Sequence, residues 1–225
     1  MRACIISFMA LVALAWLPLP THADPADAAV KLFQETKAKA ESGDVTAQYK
    51  LAGCYAKGTG VAADQVEAVK WYRKVAEQND ARGQSMLGVM YTNARGVPQD
   101  YEEAIKWFRK AAAQNSAHAQ YNLGFMYANG KGVTKDDAES ANWYRKAAEQ
   151  NDANSQRILG ELYLTGRGVP KDLVQGYAWT KVSESAGNGN AKLIKLESQM
   201  TAAQVTTAMQ LAKEISDKLA KLKKP

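Results

Sequence analysis

Cysteine and histidine are the side chains best suited to nucleophilic or metal chemistry, and both are scarce in this chain. Its 225 residues hold two cysteines and two histidines. A cysteine–histidine dyad would need Cys54 beside His118, and a zinc or copper site needs several such ligands. Cys54 stands at an apolar position of a repeated motif, which favours a buried structural thiol. His118 stands next to a predicted helix start, where an exposed polar residue is typical.

Other catalytic motifs are also missing. No serine is followed three residues later by lysine, as the penicillin-recognising serine motif requires. The segment from Gly124 to Lys131 is similar to a phosphate-binding loop, but its spacing is one residue too long. Gly132 also stands where a magnesium-binding hydroxyl is needed. Most of the regularly spaced aspartates are explained as helix caps. The sequence therefore predicts a protein that is not an enzyme and binds no cofactor.

A repeat of 36 residues organises the chain. Tryptophan recurs at this step, and so do tyrosine, leucine, glutamine, aspartate and Gly-Val positions. The tryptophans are Trp71, Trp107, Trp143 and Trp179. The four units are residues 45–80, 81–116, 117–152 and 153–188. We expect the indole rings to be hidden between neighbouring units, because one unit cannot bury its apolar face alone.

Capping residues divide each unit into two helices. The first helix, at about positions 1–13 of the unit, follows an N-cap residue, and the residue before that cap is Gly or Asn. These caps are Asp44, Asp80, Ser116, Asp152 and Asn188. The second helix, at about positions 21–34, opens with a capping box from aspartate to Glu or Gln. The second unit has Ala94 in place of a loop glycine, and Asn93 is predicted to take the left-handed conformation there.

The first 23 residues are predicted to be an export signal. Arg2 precedes an apolar run from Cys4 to Leu17, and small residues stand at the positions a signal peptidase inspects, so we expect cleavage before Asp24. The run of about 14 residues is too short to span a bilayer. The mature protein is therefore expected in the periplasm or outside the cell.

The segments that flank the repeats are predicted to be helical caps, which solenoids need at both ends. Residues 24–44 would form one N-terminal capping helix. Residues 189–225 would form a C-terminal capping helix pair, whose second helix begins at a capping box from Thr201 to Gln204.

The repeated strings resemble the Sel1-like repeat family, which is related to the tetratricopeptide solenoids. The resemblance rests on Leu123-Gly124-Phe125-Met126-Tyr127, on Gly130-Lys131-Gly132-Val133 and on Trp143-Tyr144-Arg145-Lys146-Ala147-Ala148. It implies an all-α fold, a right-handed αα superhelical solenoid of 36-residue helix–loop–helix repeats. It also implies that the first helices line a concave groove.

We call the equivalent positions of the four units a column. Four columns of the first helices do not keep one residue type and are spaced three to four residues apart, so they form one stripe. We call this stripe the first-helix face, and several of its residue types anchor protein interfaces. The candidate partner-binding residues are Tyr49, Arg82, Val89, Asn93, Tyr121, Phe125, Asn129, Arg157 and Glu161. An ordinary exposed surface is the alternative interpretation of the stripe.

The repeat architecture, the missing catalytic motifs and the variable columns favour a non-enzymatic scaffold or adaptor that is exported and binds another protein in the groove. A narrower alternative is an immunity protein that neutralises a periplasmic toxic effector, as some relatives do. An adjacent toxin or secretion-system gene would support it. A second alternative is a weak β-lactam-binding hydrolase, since some cysteine-rich relatives are associated with that activity. Those relatives carry paired cysteines that this chain lacks.

The net charge of +6 raises the question of an anionic partner. The predicted export argues against nucleic acid. The basic pairs on the second helices, such as Arg73-Lys74, are interpreted as solvated charges paired with Glu77 four residues on. The basic tail from Lys218 to Lys224 is interpreted as a helix end, with peripheral membrane contact as the less favoured alternative.

Overall fold

The computed structural model describes residues 25–184 and 190–222, which form eleven helices and no strand. The helices are α1 (Pro25–Glu41), α2 (Val45–Lys57), α3 (Gln65–Glu77), α4 (Ala81–Thr92), α5 (Tyr101–Ala113), α6 (Ala117–Asn129), α7 (Asp137–Ala148), α8 (Ala153–Thr165), α9 (Leu173–Glu184), α10 (Asn190–Glu197) and α11 (Ala202–Leu222). The predicted export signal, the predicted cap Asn188 and the last two lysines of the basic tail lie outside the described residues.

The helices stack in chain order. The pairs α2–α3, α4–α5, α6–α7 and α8–α9 are helix–loop–helix units, and the second helix of each pair packs on the first helix of the next. At one end α1 packs on α2, and at the other α10 and α11 pack on α9. The first helices α4 and α6 also contact each other. The predicted all-α solenoid is confirmed.

Aspartate and serine side chains cap the helices where the sequence places them. Asp44 accepts a hydrogen bond from the backbone N–H of Ala47 at the start of α2. At the starts of α4, α6 and α8, the cap side chain likewise accepts a hydrogen bond from the backbone N–H two or three residues further along the chain. The second helices begin in the same way at Asp64, Asp100, Asp136 and Asp172. These bonds satisfy backbone donors that have no partner within the helix.

The predicted capping boxes of the second helices are only half formed. The backbone N–H of Asp64 donates to the carbonyl of Tyr55, so it is not available to Glu67. Glu67 instead accepts from Lys70 at 2.8 Å. A complete box is found at α11, where Thr201 and Gln204 each accept from the other's backbone N–H.

The prediction that Asn93 takes the left-handed conformation is wrong. Asn93 has a φ of −108°, and Ala94 has a positive φ of 54°. The side-chain amide of Asn93 donates to the carbonyl of Val89 in the last turn of α4. The chain therefore turns at the alanine, in the place that Gly58, Gly130 and Gly166 occupy in the other units.

The tryptophans are less uniformly hidden than the repeat predicts. Trp71 and Trp179 are buried, but Trp107 and Trp143 are half-buried. Trp107 still packs against the core on one side. The ammonium of Lys110 lies 4.2 Å from the centre of this ring, as Lys74 and Lys146 lie over the rings of their own units. A lysine from the same helix thus covers part of the indole.

The arginine of each basic pair bonds to a tyrosine rather than to the predicted glutamate. The guanidinium of Arg73 donates to the hydroxyl of Tyr91 at 2.7 Å, and Arg109 and Arg145 donate to Tyr127 and Tyr163 in the same way. The arginines of the basic pairs therefore join neighbouring units through hydrogen bonds. The predicted ion pair between Arg73 and Glu77 is wrong.

The glutamine column forms a hydrogen-bond ladder along the stack. The amide of Gln84 is buried, and its nitrogen donates to the carbonyl of Ala76 at 3.4 Å and to the side chain of Asn79 at 3.1 Å. Its oxygen accepts from the side chain of Gln114 at 2.8 Å. Equivalent bonds join Gln78 to Gln48 and Gln150 to Gln120. An amide suits this position because its nitrogen donates while its oxygen accepts.

We expect Gln84→Leu to lower the free energy of unfolding by about 1–3 kcal/mol, because leucine makes none of the side-chain hydrogen bonds that join Gln84 to Ala76, Asn79 and Gln114. Gln114→Leu is the matched control. Gln114 is exposed, so water can replace its lost bonds, and a smaller effect of about 0.5 kcal/mol is expected. Urea denaturation followed by circular dichroism measures both values. Equal losses in the two variants would contradict the larger contribution expected from the buried amide of Gln84.

Candidate functional site

The first-helix face carries two concave regions. The larger, about 730 Å³, lies between α1 and α2 and is lined by Tyr49, Tyr72 and Leu32, among others. The smaller, about 290 Å³, lies between α6 and α8. Three predicted site residues line the smaller region, namely Asn129, Arg157 and Glu161.

Aromatic rings and arginine meet at the larger region. The guanidinium of Arg82 lies 5.0 Å from the ring centre of Tyr49 and also pairs with Asp80 at 2.6 Å. The Tyr49 ring makes an edge contact with Tyr72, at 5.6 Å between ring centres. Two predicted site residues, Tyr49 and Arg82, are thus brought together from different units.

The remaining predicted residues lie on the same face but are partly engaged by their own neighbours. Val89 and Phe125 are half-buried and pack against the core between α5 and α6. The side-chain amides of Asn93 and Asn129 donate to carbonyls of their own helices, at Val89 and Phe125. Tyr121 makes an edge contact with Tyr144, at 5.7 Å between ring centres.

Tyr144 and Arg167 line the smaller region and are among the lining residues that were not predicted. Tyr144 comes from the second helix α7, and Arg167 from the loop after α8. Tyr144 belongs to a column that reads Tyr72, Phe108, Tyr144 and Thr180, and this variation was the sequence signal that could have identified it. Burial raises the pKa of Tyr144, and the charges of Arg167 and Arg157 oppose that shift. The hydroxyl therefore stays protonated and can donate a hydrogen bond.

Cys54 is half-buried, so the prediction of a buried thiol is wrong. Its column mates Met90, Met126 and Leu162 are buried. Cys54 instead lines the larger concave region, where α1 replaces a complete helix pair. Partial burial raises the pKa of this thiol, which keeps it in the less reactive protonated form.

His118 is exposed as a residue, as predicted, but its ring is engaged. Its Nδ1 atom lies 2.7 Å from the hydroxyl of Ser85 on α4. Desolvation of the ring lowers the pKa of His118, and the charge of Asp152 opposes that shift. The contact joins α4 to α6, so a structural role accounts for this side chain.

Within residues 25–184 and 190–222, no three acidic, histidine or cysteine side chains are grouped closely enough to hold a metal ion. None of the helices in these ranges combines the length and the apolar character that crossing a membrane requires.

Helix pairs of equal length, stacked in order and joined by repeated side-chain bonds, define an αα solenoid. The Sel1 repeat family model matches residues 45–80, 81–116, 117–152 and 153–188. The chain belongs to the Sel1 repeat family, whose members are scaffolds for protein–protein interaction and are in general not enzymes.

Two solved structures are similar to this chain over most of its length. One is c5321, a protective antigen of uropathogenic Escherichia coli strains, with 39% identity, a TM-score of 0.76 and 85% of this chain covered. The other is a Sel1 repeat protein from Oxalobacter formigenes, with 34% identity, a TM-score of 0.71 and 88% of this chain covered. The matches cover 42% of the first protein and 80% of the second, so this chain spans less than half of c5321. No curated protein matches the chain.

Proposed function

We propose that this protein is an exported, non-enzymatic adaptor that binds another protein on its first-helix face. The observation that carries the proposal is the contrast between two kinds of column. Leu51, Leu87, Leu123 and Leu159 form a constant column in which every side chain is fully buried. The neighbouring column on the first-helix face reads tyrosine, serine, tyrosine and arginine. Packing between repeats needs the first column to be uniform, whereas the second column is free to vary to suit a partner.

The side chains on this face have the chemistry of interface anchors. Tyr121 and Phe125 are half-buried aromatic rings, and Arg157 is exposed beside them. Aromatic side chains and arginine contribute most to binding energy in protein interfaces. The rings are held in place by the core, so little conformational entropy is lost when a partner covers them.

The predicted export signal at residues 1–23 supports a partner in the periplasm or outside the cell. The Sel1 repeat family supplies interaction scaffolds, which is the same class of function. The E. coli relative is described as a protective antigen, and that description is compatible with a protein placed beyond the inner membrane.

A triple variant tests this function, with Tyr121→Ser, Phe125→Glu and Arg157→Ser. Each replacement is the residue type that another unit carries in the same column, as at Ser85 and Glu161, so the fold should be retained. We expect capture of the partner from a periplasmic extract by immobilised protein to be lost. Mass spectrometry of the captured proteins is the measurement.

A matched control changes exposed residues of the second helices, Lys70→Ser and Lys106→Ser, whose side chains are 63% and 66% exposed. This control should capture the partner as the unaltered protein does, with circular dichroism showing equal helicity in all three proteins. Undiminished capture by the triple variant would reject the first-helix face as the binding surface.

A further inference from the structure

The smaller concave region, between α6 and α8, contains a tyrosine hydroxyl that bonds to none of the described residues. Tyr144 lines this region and is only 3% exposed as a residue. By contrast, the hydroxyls of Tyr91, Tyr127 and Tyr163 each accept a hydrogen bond from an arginine of the preceding helix. The oxygen of Tyr144 is accessible from the region, so its hydroxyl is a donor available to a ligand atom.

Two guanidinium groups line the same region. Arg157 lies 3.9 Å from Glu161, and Arg167 lies 3.6 Å from Asp137, and both distances exceed a good charge-assisted hydrogen bond. The two arginine side chains are 58% and 54% exposed, so their donors remain accessible. Each arginine is only loosely paired with a carboxylate, Arg157 with Glu161 and Arg167 with Asp137. Donors from three separate residues therefore remain available to an acceptor group of a ligand.

We propose that this region, the Tyr144 pocket, binds the side-chain carboxylate of a glutamate or aspartate on the protein partner. A carboxylate accepts several hydrogen bonds at once, and arginine pairs with it in a planar geometry. The proposal rests on the proposed function and adds the chemistry of one partner residue. It assigns to the partner an acidic side chain next to an apolar segment.

The depth of Tyr144 indicates a side chain rather than a chain terminus. Only a slender group reaches the hydroxyl of a residue that is 3% exposed, and the methylene stem of a glutamate is slender, whereas a terminal carboxylate brings its own side chain with it. Tyr121, Phe125 and Ile158 pack against the same small core cluster as Tyr144 and are half-buried. The partner's main chain can therefore lie over these apolar side chains while its carboxylate enters the pocket.

Short peptides test the pocket directly. The probe is acetyl-Leu-Glu-Leu-amide, compared with acetyl-Leu-Gln-Leu-amide, in nuclear magnetic resonance titrations of the whole mature chain. We expect the glutamate peptide to shift the Nε–H signals of Arg157 and Arg167 in a saturable way at millimolar concentration. The glutamine peptide should bind at least about tenfold more weakly, because it carries no charge for the arginines. Equal binding, or no saturable shift with the glutamate peptide, would overturn the proposal.

The variant Tyr144→Phe removes only the hydroxyl. Phe108 occupies the same column in the second unit, so the fold accepts this ring. We expect affinity for the glutamate peptide to fall about tenfold, as for the loss of a hydrogen bond to a charged group. Tyr72→Phe is the matched control, since Tyr72 is 4% exposed in the same column but lines the other concave region. Unchanged affinity in Tyr144→Phe, or an equal loss in Tyr72→Phe, would count against the pocket.

A third peptide, acetyl-Leu-Gln-Leu with a free terminal carboxylate, separates the two sources of a carboxylate. If it binds as tightly as the glutamate amide, the ligand is a chain terminus and the proposal is wrong. Failure of the pocket is distinguishable from failure of the proposed function. If only the pocket is wrong, Tyr144→Phe captures the partner as the unaltered protein does, while the triple variant does not. If the proposed function is wrong, the triple variant also retains capture.

Discussion

Phe108→Ala is expected to lower the free energy of unfolding by about 3–5 kcal/mol, the usual range for a buried phenylalanine. Phe108 is fully buried on α5, near the middle of the stack. Its ring fills the space beside Gly88 on α4, where an added Cβ atom would lie 2.5 Å from a ring carbon. Because the glycine has no side chain to move into the gap, removal of the ring leaves a cavity between the two helices.

Urea denaturation followed by far-ultraviolet circular dichroism measures the loss. Leu32→Ala is the control for the removal of apolar atoms, since Leu32 on α1 is 62% exposed and should change stability by less than about 0.5 kcal/mol. A loss below about 1 kcal/mol in Phe108→Ala would contradict the described contact between α4 and α5.

Gly96→Ala is expected to cost about 2–4 kcal/mol, through backbone strain and overpacking together. Gly96 has a φ of +69°, which side chains rarely adopt. An added Cβ atom would also lie 2.1 Å from the carbonyl oxygen of Gln65 at the start of α3. The loop of the second unit must therefore move away from the second helix of the first unit.

Gly58→Ala separates the two causes. Gly58 has a similar φ of +74°, but its added Cβ atom would lie no closer than 3.3 Å to its neighbours. The chain already places Ala94 at the equivalent position of the second unit, with a φ of 54°. We expect a loss of about 1–2 kcal/mol from strain alone. Equal losses in the two variants, measured by urea denaturation, would show that Gly96 makes no close contact between units.

The repeat and its helix starts could be predicted because they depend on local chemistry. A 36-residue step and an aspartate before each helix are visible in the sequence, and a cap acts within three residues of itself. The glutamine column was visible too, but its purpose was not. Its hydrogen bonds join residues about 30 positions apart, such as Gln84 and Gln114.

The errors come from contacts that the repeat does not encode. The tolerance of asparagine for the left-handed conformation predicts a turn at Asn93, but its side chain bonds to Val89 and the turn occurs at Ala94. The apolar column of Cys54 predicts a core position, but the first unit has α1 in place of a complete preceding unit.

The candidate site could be predicted in part. Three of the predicted site residues, among them Arg157, line the Tyr144 pocket. Tyr144 and Arg167 were missed because they come from a second helix and from a loop, which a stripe along one helix cannot include. The pocket exists only where two neighbouring units meet.

Site-specific photo-crosslinking tests most directly whether the first-helix face binds the partner. Benzoylphenylalanine is placed at Phe125 on α6 in one protein and at Lys106 on the exposed side of α5 in another. Irradiation in the periplasmic extract should give a discrete adduct from position 125, with no such adduct from position 106. An adduct from position 106 alone, or equal adducts from both positions, would contradict the account.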